Sequence, residues 1–223
     1  MAEPRTTSAN RILETALDLF STRGYEATSV REICEAACIT KPTLYYFYGS
    51  KEGVFRALVH SALEELKQDL IDALARPEPL IDRLKLMTRN FFADASRRRK
   101  LWRFIASSMW MPDASHAADL PCAYHEYCER IGAAIDAAVV SGELMPGPTD
   151  IRLLVLLGSL GEALDRFLLF GEPPLTRELA DQLIDVIVTG WLARSSTSPA
   201  PVLTSSSSTS SAPSSSPSSS RSL

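Results

Sequence analysis

Apolar residues recur three and four positions apart through most of this chain, and no stretch alternates apolar and polar residues as a half-buried strand does. Ile12, Leu13, Ala16, Leu17, Leu19 and Phe20 form the first helical stripe, which Gly24 stops. Thr28 or Ser29 can cap a second helix, with Arg31 and Glu32 in its first turn. Pro42 stands where proline is tolerated, in the first turn of a short helix running to about Tyr48. Ser50 then caps a much longer helix from Lys51, whose inward positions Val54, Leu58, Ala62, Leu66 and Leu70 fall four apart. Pro77 and Pro79 interrupt the chain before a helix near 80–95. The run Arg97-Arg98-Arg99-Lys100 opens another to about Met111, and a further helix covers roughly 118–141. A loop rich in Gly and Pro follows from Ser141 to Pro148, and two last helices are expected near 149–170 and 174–194.

Composition changes this picture at the carboxyl end. Of the last 29 residues, 16 are Ser, 3 are Thr and 4 are Pro, so 195–223 is expected to be a disordered tail with little to bury. The whole chain has 223 residues, 45% of them apolar, and a net charge of −4. Its length allows one or two domains with proper cores. The longest apolar run, Leu153 to Leu157, is far short of the roughly 20 residues needed to span a bilayer, so no membrane partner is expected. The polar amino end and four cysteines without paired spacing (Cys34, Cys38, Cys122, Cys128) point to a reduced cytoplasm.

The densest chemistry lies between Thr28 and Lys51. Val30 to Ala37 makes two helical turns, Cys38-Ile39-Thr40 a tight link, and Lys41 to Tyr48 two more turns. Ile33, Ile39 and Leu44 can form the small core that sets the angle between these helices. That leaves Lys41, Thr43, Tyr45 and Tyr46 facing outward. Hydroxyls, phenols and lysines on one short helix suit a DNA groove and its phosphates. A helix-turn-helix uses its second helix in this way. The neutral charge of residues 1–60, with seven basic and seven acidic side chains, means that any positive face comes from arrangement.

Lys41-Pro42-Thr43-Leu44-Tyr45-Tyr46-Phe47-Tyr48-Gly49-Ser50-Lys51-Glu52, with Phe20, Gly24-Tyr25 and Ala27-Thr28 before it, resembles the DNA-binding domain of the TetR family of transcriptional repressors. The resemblance covers about a quarter of the chain. It implies an all-α fold of about nine helices: a three-helix helix-turn-helix domain over 1–50 and a helical ligand-binding and dimerisation domain over 51–194. It also implies that Thr40, Lys41, Pro42, Thr43, Tyr45 and Tyr46 face double-stranded DNA, with Thr28, Arg31 and Lys51 on phosphates. Two positions depart from the family pattern. Cys38 stands where the turn usually has Gly, and Phe47 where His is frequent.

Elsewhere the signals are weaker. Cys122, His125, Cys128 and His116 do not converge along one helix, and Cys34 and Cys38 read as inert thiols, so neither a metal nor a cofactor is expected. Basic charge at a helix amino end is unfavourable, so the 97–100 run calls for an acidic partner. Aromatic and methionine residues of the central helices, which in the family surround a cavity, are expected to line a site for a small hydrophobic effector with Phe91, Trp102, Ile105, Met109 and Tyr124. The helix 149–170 is apolar on most sides. With the last helix it is expected to build a four-helix homodimer interface through Leu153, Leu157, Leu160, Leu164, Leu183, Ile187 and Trp191. The function expected is that of a repressor on a palindromic operator. An activator or a ligand-blind regulator is the alternative. A helical enzyme has little support, since there is no Gly-rich phosphate loop, HExxH or GxSxG.

Overall fold

The computed structural model describes residues 5–109 and 119–192, and the side chains within 8–108 and 121–192. Among the described residues it is all-α, with helices α1 (Arg5–Arg23), α2 (Val30–Ala36), α3 (Lys41–Tyr48), α4 (Lys51–Leu74), α5 (Leu80–Arg97), α6 (Arg99–Met109), α7 (Asp119–Val140), α8 (Thr149–Phe170) and α9 (Arg177–Thr189). The expected tail at 195–223 lies outside the described residues. No described helix is long and apolar enough to cross a membrane.

Local chemistry explains the helix boundaries. Ser29, rather than Thr28, caps α2 through a reciprocal box in which Glu32 N–H donates to the Ser29 hydroxyl and Ser29 N–H donates to the Glu32 carboxylate. Thr40 caps α3, with Pro42 in its first turn, and Ser50 caps α4. Gly171, at φ 81, ends α8 in the left-handed conformation that glycine adopts freely. Cys38 takes the same kind of conformation at φ 50 without glycine's freedom, which is the cost foreseen for a turn lacking its usual residue.

Two apolar cores form. The first gathers Ile12, Ala16 and Phe20 of α1, Ile33 of α2, Leu44 of α3, Val54 to Ala62 of α4, and Leu101, Phe104 and Ile105 of α6. The second is built from the carboxyl half of α4 with α5, α7, α8 and α9, and includes Trp102. The first core therefore does not stop at residue 50. It continues through Ala62 and takes in a helix some fifty positions later, because three short helices alone bury too little apolar surface.

Where α3 meets α4 the backbones crowd. A Cβ on Gly53 would lie 1.8 Å from the Tyr48 carbonyl oxygen, so only glycine lets α4 start against the end of α3. Cys38→Gly is expected to raise stability by about 0.5–1 kcal/mol in urea unfolding, by relieving the left-handed residue. Gly53→Ala is expected to lower it by about 3 kcal/mol through overpacking.

Candidate nucleic-acid interface and internal cavity

The four aromatics at the end of α3 divide by face. Phe47 and Tyr48 turn inward, and the Tyr48 hydroxyl donates to the Ala9 carbonyl at 2.9 Å, tying α3 to α1. Burial pushes the Tyr48 phenol up, so it stays a donor. Tyr45 and Tyr46 turn outward and are 49% and 71% exposed, an unusual waste of aromatic surface unless something covers it. Beside them Lys41 and Pro42 are exposed, and Lys41 has no ion pair among the described residues. The hydroxyls of Thr40 and Thr43 lie 2.8 Å apart and bond to each other, so the pair keeps one proton and several lone pairs for an outside partner. Leu44, at the centre of the inner face, is fully buried.

Three of the residues expected on phosphate sit differently. Thr28 is 1% exposed, and its hydroxyl donates to the Gly24 carbonyl at 2.9 Å, closing the turn between α1 and α2; it has no hydroxyl to give to DNA. Arg31 is exposed but pairs with Glu35 one turn on, at 3.1 Å. Lys51 reaches back over the Tyr25 ring, 4.1 Å from its centroid, and donates to the Tyr25 carbonyl at 2.9 Å. Its amine clamps the α1–α2 turn to the start of α4, an arrangement no local spacing announces.

Deeper in the chain, α4, α5, α6, α7 and α8 enclose a cavity of about 410 Å³. Phe91, Trp102, Ile105 and Tyr124 line it; Met109 ends α6, and its side chain lies outside the described residues, as does the whole of His116. The remaining wall includes Leu66, Leu70, Tyr127, Leu157, Leu160, Gly161 and Leu164. Of the charged lining residues Glu64, Lys67, Glu126, Arg130 and Asp165, three are joined to one another. Glu126 takes Lys67 at 2.9 Å and Arg130 at 2.8 Å, joining α4 to α7. Burial pushes the Tyr127 phenol well up, keeping it protonated at any physiological pH.

Trp102 is held at the cavity by Asp94, a nearly buried carboxylate. It accepts from the Trp102 indole at 2.8 Å, from Arg98 at 2.6 Å and from Arg97 at 2.8 Å. Asp94 is the buried one among the acidic partners that the basic run calls for, with Glu65 also on Arg97 and Arg98 and Asp18 on Lys100. Arg99 of that run and Arg103, one turn further on, are used differently, donating to the terminal carbonyls of α8 at Phe167 and Leu168, where positive charge suits the helix dipole. Burial alone would raise Asp94, yet the bonds from Arg98, Trp102 and Arg97 outweigh it and hold the carboxyl below its ordinary range.

The helices expected at a subunit interface are present, but the expected face is not the outer one. Leu160 and Leu164 are buried in the second core, while Leu153, Leu157, Leu183, Ile187 and Trp191 pack against it half-buried. Within one chain they already have partners. The apolar side chains left exposed on α8 and α9 are instead Ile151, Leu154, Val155, Leu169, Phe170 and Val186. On α8, Ile151, Leu154, Val155 and Leu169 share the side of the helix opposite its core face, whereas Phe170, in the last turn, lies outside that stripe. A helix apolar all round hides which stripe is inside, so the choice of face is not legible from periodicity.

Residues 12–58 match the family model described as "Bacterial regulatory proteins, tetR family". The chain is similar to the transcriptional repressor ComR of Escherichia coli, 41% identical over 56 residues, which is 25% of this chain and 27% of ComR. It is also similar to the transcriptional activator FasR of Mycolicibacterium smegmatis, 26% identical over 54% of this chain and 55% of FasR. The chain thus spans about a quarter to a half of the curated relatives it matches. Among solved structures, a putative fatty acid metabolism regulator of Clostridium perfringens overlays 81% of this chain and 97% of its own, with a TM-score of 0.71 and 25% identity.

For Asp94, the sign of its pH dependence follows from its lowered folded value. Its stabilising contribution is fully present above the ordinary value of 3.8 and is lost as pH falls through the lower folded one. Asp94→Asn is expected to flatten that part of an acid-unfolding curve and to cost about 2–3 kcal/mol at neutral pH.

Proposed function

Because the chain belongs, through its N-terminal domain, to the bacterial tetR family of regulatory proteins, we propose that it is a ligand-responsive repressor that binds a near-palindromic operator as a homodimer. The observation that carries this reading is the outward face of α3. Thr40, Lys41, Pro42, Thr43, Tyr45 and Tyr46 are presented together, on a helix whose other side is locked by Leu44, Phe47 and Tyr48. Phosphate contacts would supply affinity, and threonine methyls, hydroxyls and phenols at base edges would supply selectivity. The work is recognition of DNA, not catalysis.

Dimerisation is supported by the apolar stripe of Leu154, Val155 and Leu169 on α8 with Val186 on α9. Covering it with the same stripe of a second copy about a two-fold axis buries it without any new element. Gly158, exposed in the middle of the stripe and free of neighbours within 4 Å, lets the two copies of α8 approach closely. The two recognition helices would then meet successive major grooves about 34–36 Å apart.

A cavity of about 410 Å³ with mostly apolar walls is of the size that takes a small hydrophobic effector. The long helix α4 contributes to both cores and would act as the lever, and α6 joins it. The same short helix that lines the cavity with Trp102 and Ile105 inserts Phe104 into the first core, against Phe20 and Phe55 at 5.6 and 5.1 Å between ring centroids. An effector shifts the DNA-binding arrangement only by its differential affinity for the two states. FasR, an activator, shares the matched region, so activation through the same parts is the second reading. A reporter under the chain's own upstream region, compared with and without its gene, separates the two: expression rises on deletion for a repressor and falls for an activator.

Tyr45→Ala is expected to weaken binding to the specific site by about 1–3 kcal/mol and to leave random DNA nearly unaffected, measured by fluorescence anisotropy. Equal losses on both DNAs would contradict the base-reading role. Leu154→Asp is expected to give a monomer by gel filtration, with specific binding lost in step.

A further inference from the structure

Toward the cavity, α8 turns Leu157, Leu160, Gly161, Leu164 and Asp165, spaced as one helical stripe. Gly161 sits in the middle of it. Glycine inside a helix is unfavourable relative to alanine, so such a residue needs a reason. Packing does not provide one. A Cβ on Gly161 would meet no described atom within 4 Å, in contrast to Gly53, crowded by backbone, and Gly132, where a Cβ would lie 3.3 Å from Leu153. The backbone there is ordinary helix, with no turn to make. What the missing side chain leaves is room in the cavity, between the bulk of Leu157, Leu160 and Leu164.

We propose that Gly161 is the residue that determines which effectors the cavity accepts. The notch it leaves takes the far end of an elongated hydrocarbon portion, unbranched or flat, laid directly on the α8 backbone. This rests on the reading of the cavity as the effector site. Leu157, Leu160 and Leu164 flank the notch on α8, with Asp165 one turn beyond it, while the linked polar groups Lys67, Glu126 and Arg130 belong to α4 and α7, so the end that enters the notch is the apolar one. A leucine at 161 occupies the volume that this end requires. Each methylene excluded lowers affinity about fourfold, and two about tenfold or more.

The test uses the full chain and its Gly161→Ala and Gly161→Leu variants. The fluorescent dye anilinonaphthalene sulfonate is bound first and then displaced by straight-chain primary alcohols of graded length. In the unaltered protein, affinity is expected to rise with each added carbon until the notch is filled. Gly161→Leu is expected to reach its plateau at a shorter alcohol and to bind the longest ones about tenfold more weakly, with the shortest unchanged. Gly161→Ala falls between, and both variants melt at or above the unaltered protein. Identical length profiles in the unaltered protein and Gly161→Leu overturn the inference while leaving the cavity reading intact. A lower melting temperature with uniform loss at every length also overturns it, since the notch would then be packed by protein. No saturable binding of dye or alcohols by the unaltered protein overturns the cavity reading itself.

Discussion

The burial of α6 in two cores at once is the constraint on which the rest of the molecule depends. This helix of 11 residues has too little surface to hold a place alone, and its buried positions are shared between the two cores, with Lys100, Arg103 and Ser107 on its exposed side. Leu101 and Phe104 complete the first core, Trp102 enters the second, and Arg99 and Arg103 cap the end of α8. The apolar contact is non-directional, but the bonds of Asp94 to Trp102, Arg97 and Arg98 are directional and fix how the helix is rotated. A close-packed interior passes a displacement on, so the proposed effector beside Trp102 would press on Phe104 and its partners Phe20 and Phe55. That is a physical route from a ligand to the base of the DNA-facing domain.

Presentation of α3 depends on a second set of restraints at its ends. Thr40 caps its start, Gly53 lets α4 approach its last carbonyl, and Tyr48 bonds to α1. Lys51 anchors the preceding turn through Tyr25. None of these side chains needs to touch DNA to matter for it. They keep Tyr45 and Tyr46 exposed, which two aromatic side chains would otherwise avoid by folding onto the apolar surface nearby.

Much of this was legible in the sequence where a local rule was decisive. Gly24, Pro42, Ser50 and Gly171 mark helix boundaries because caps and breakers act over a few residues. The four-residue rhythm from Val54 to Leu70 marks the inner face of α4 because its other face is polar. The outward set on α3 was legible from the same logic. Legibility failed where the decisive partner is distant in sequence. Lys51 is drawn away from solvent by the Tyr25 ring and carbonyl, 26 positions before it, whereas Thr28 is hidden for a local reason, its bond to the Gly24 carbonyl four residues back. On α8, apolar residues on nearly every side leave the core stripe and the outer stripe indistinguishable until the other helices are placed. Gly161 shows only as an unexplained glycine until the cavity beside it is seen.

In the proposed regulator, occupancy of the cavity would reach α3 through the seat of Phe104. The direct measurement is operator affinity with the cavity empty and then saturated by an apolar ligand, in the unaltered protein and in Phe104→Leu. Both proteins are expected to bind ligand and DNA separately, while the ligand-induced change in operator affinity is large in the unaltered protein and collapses toward unity in Phe104→Leu. An undiminished change in Phe104→Leu, with both affinities intact, would contradict it.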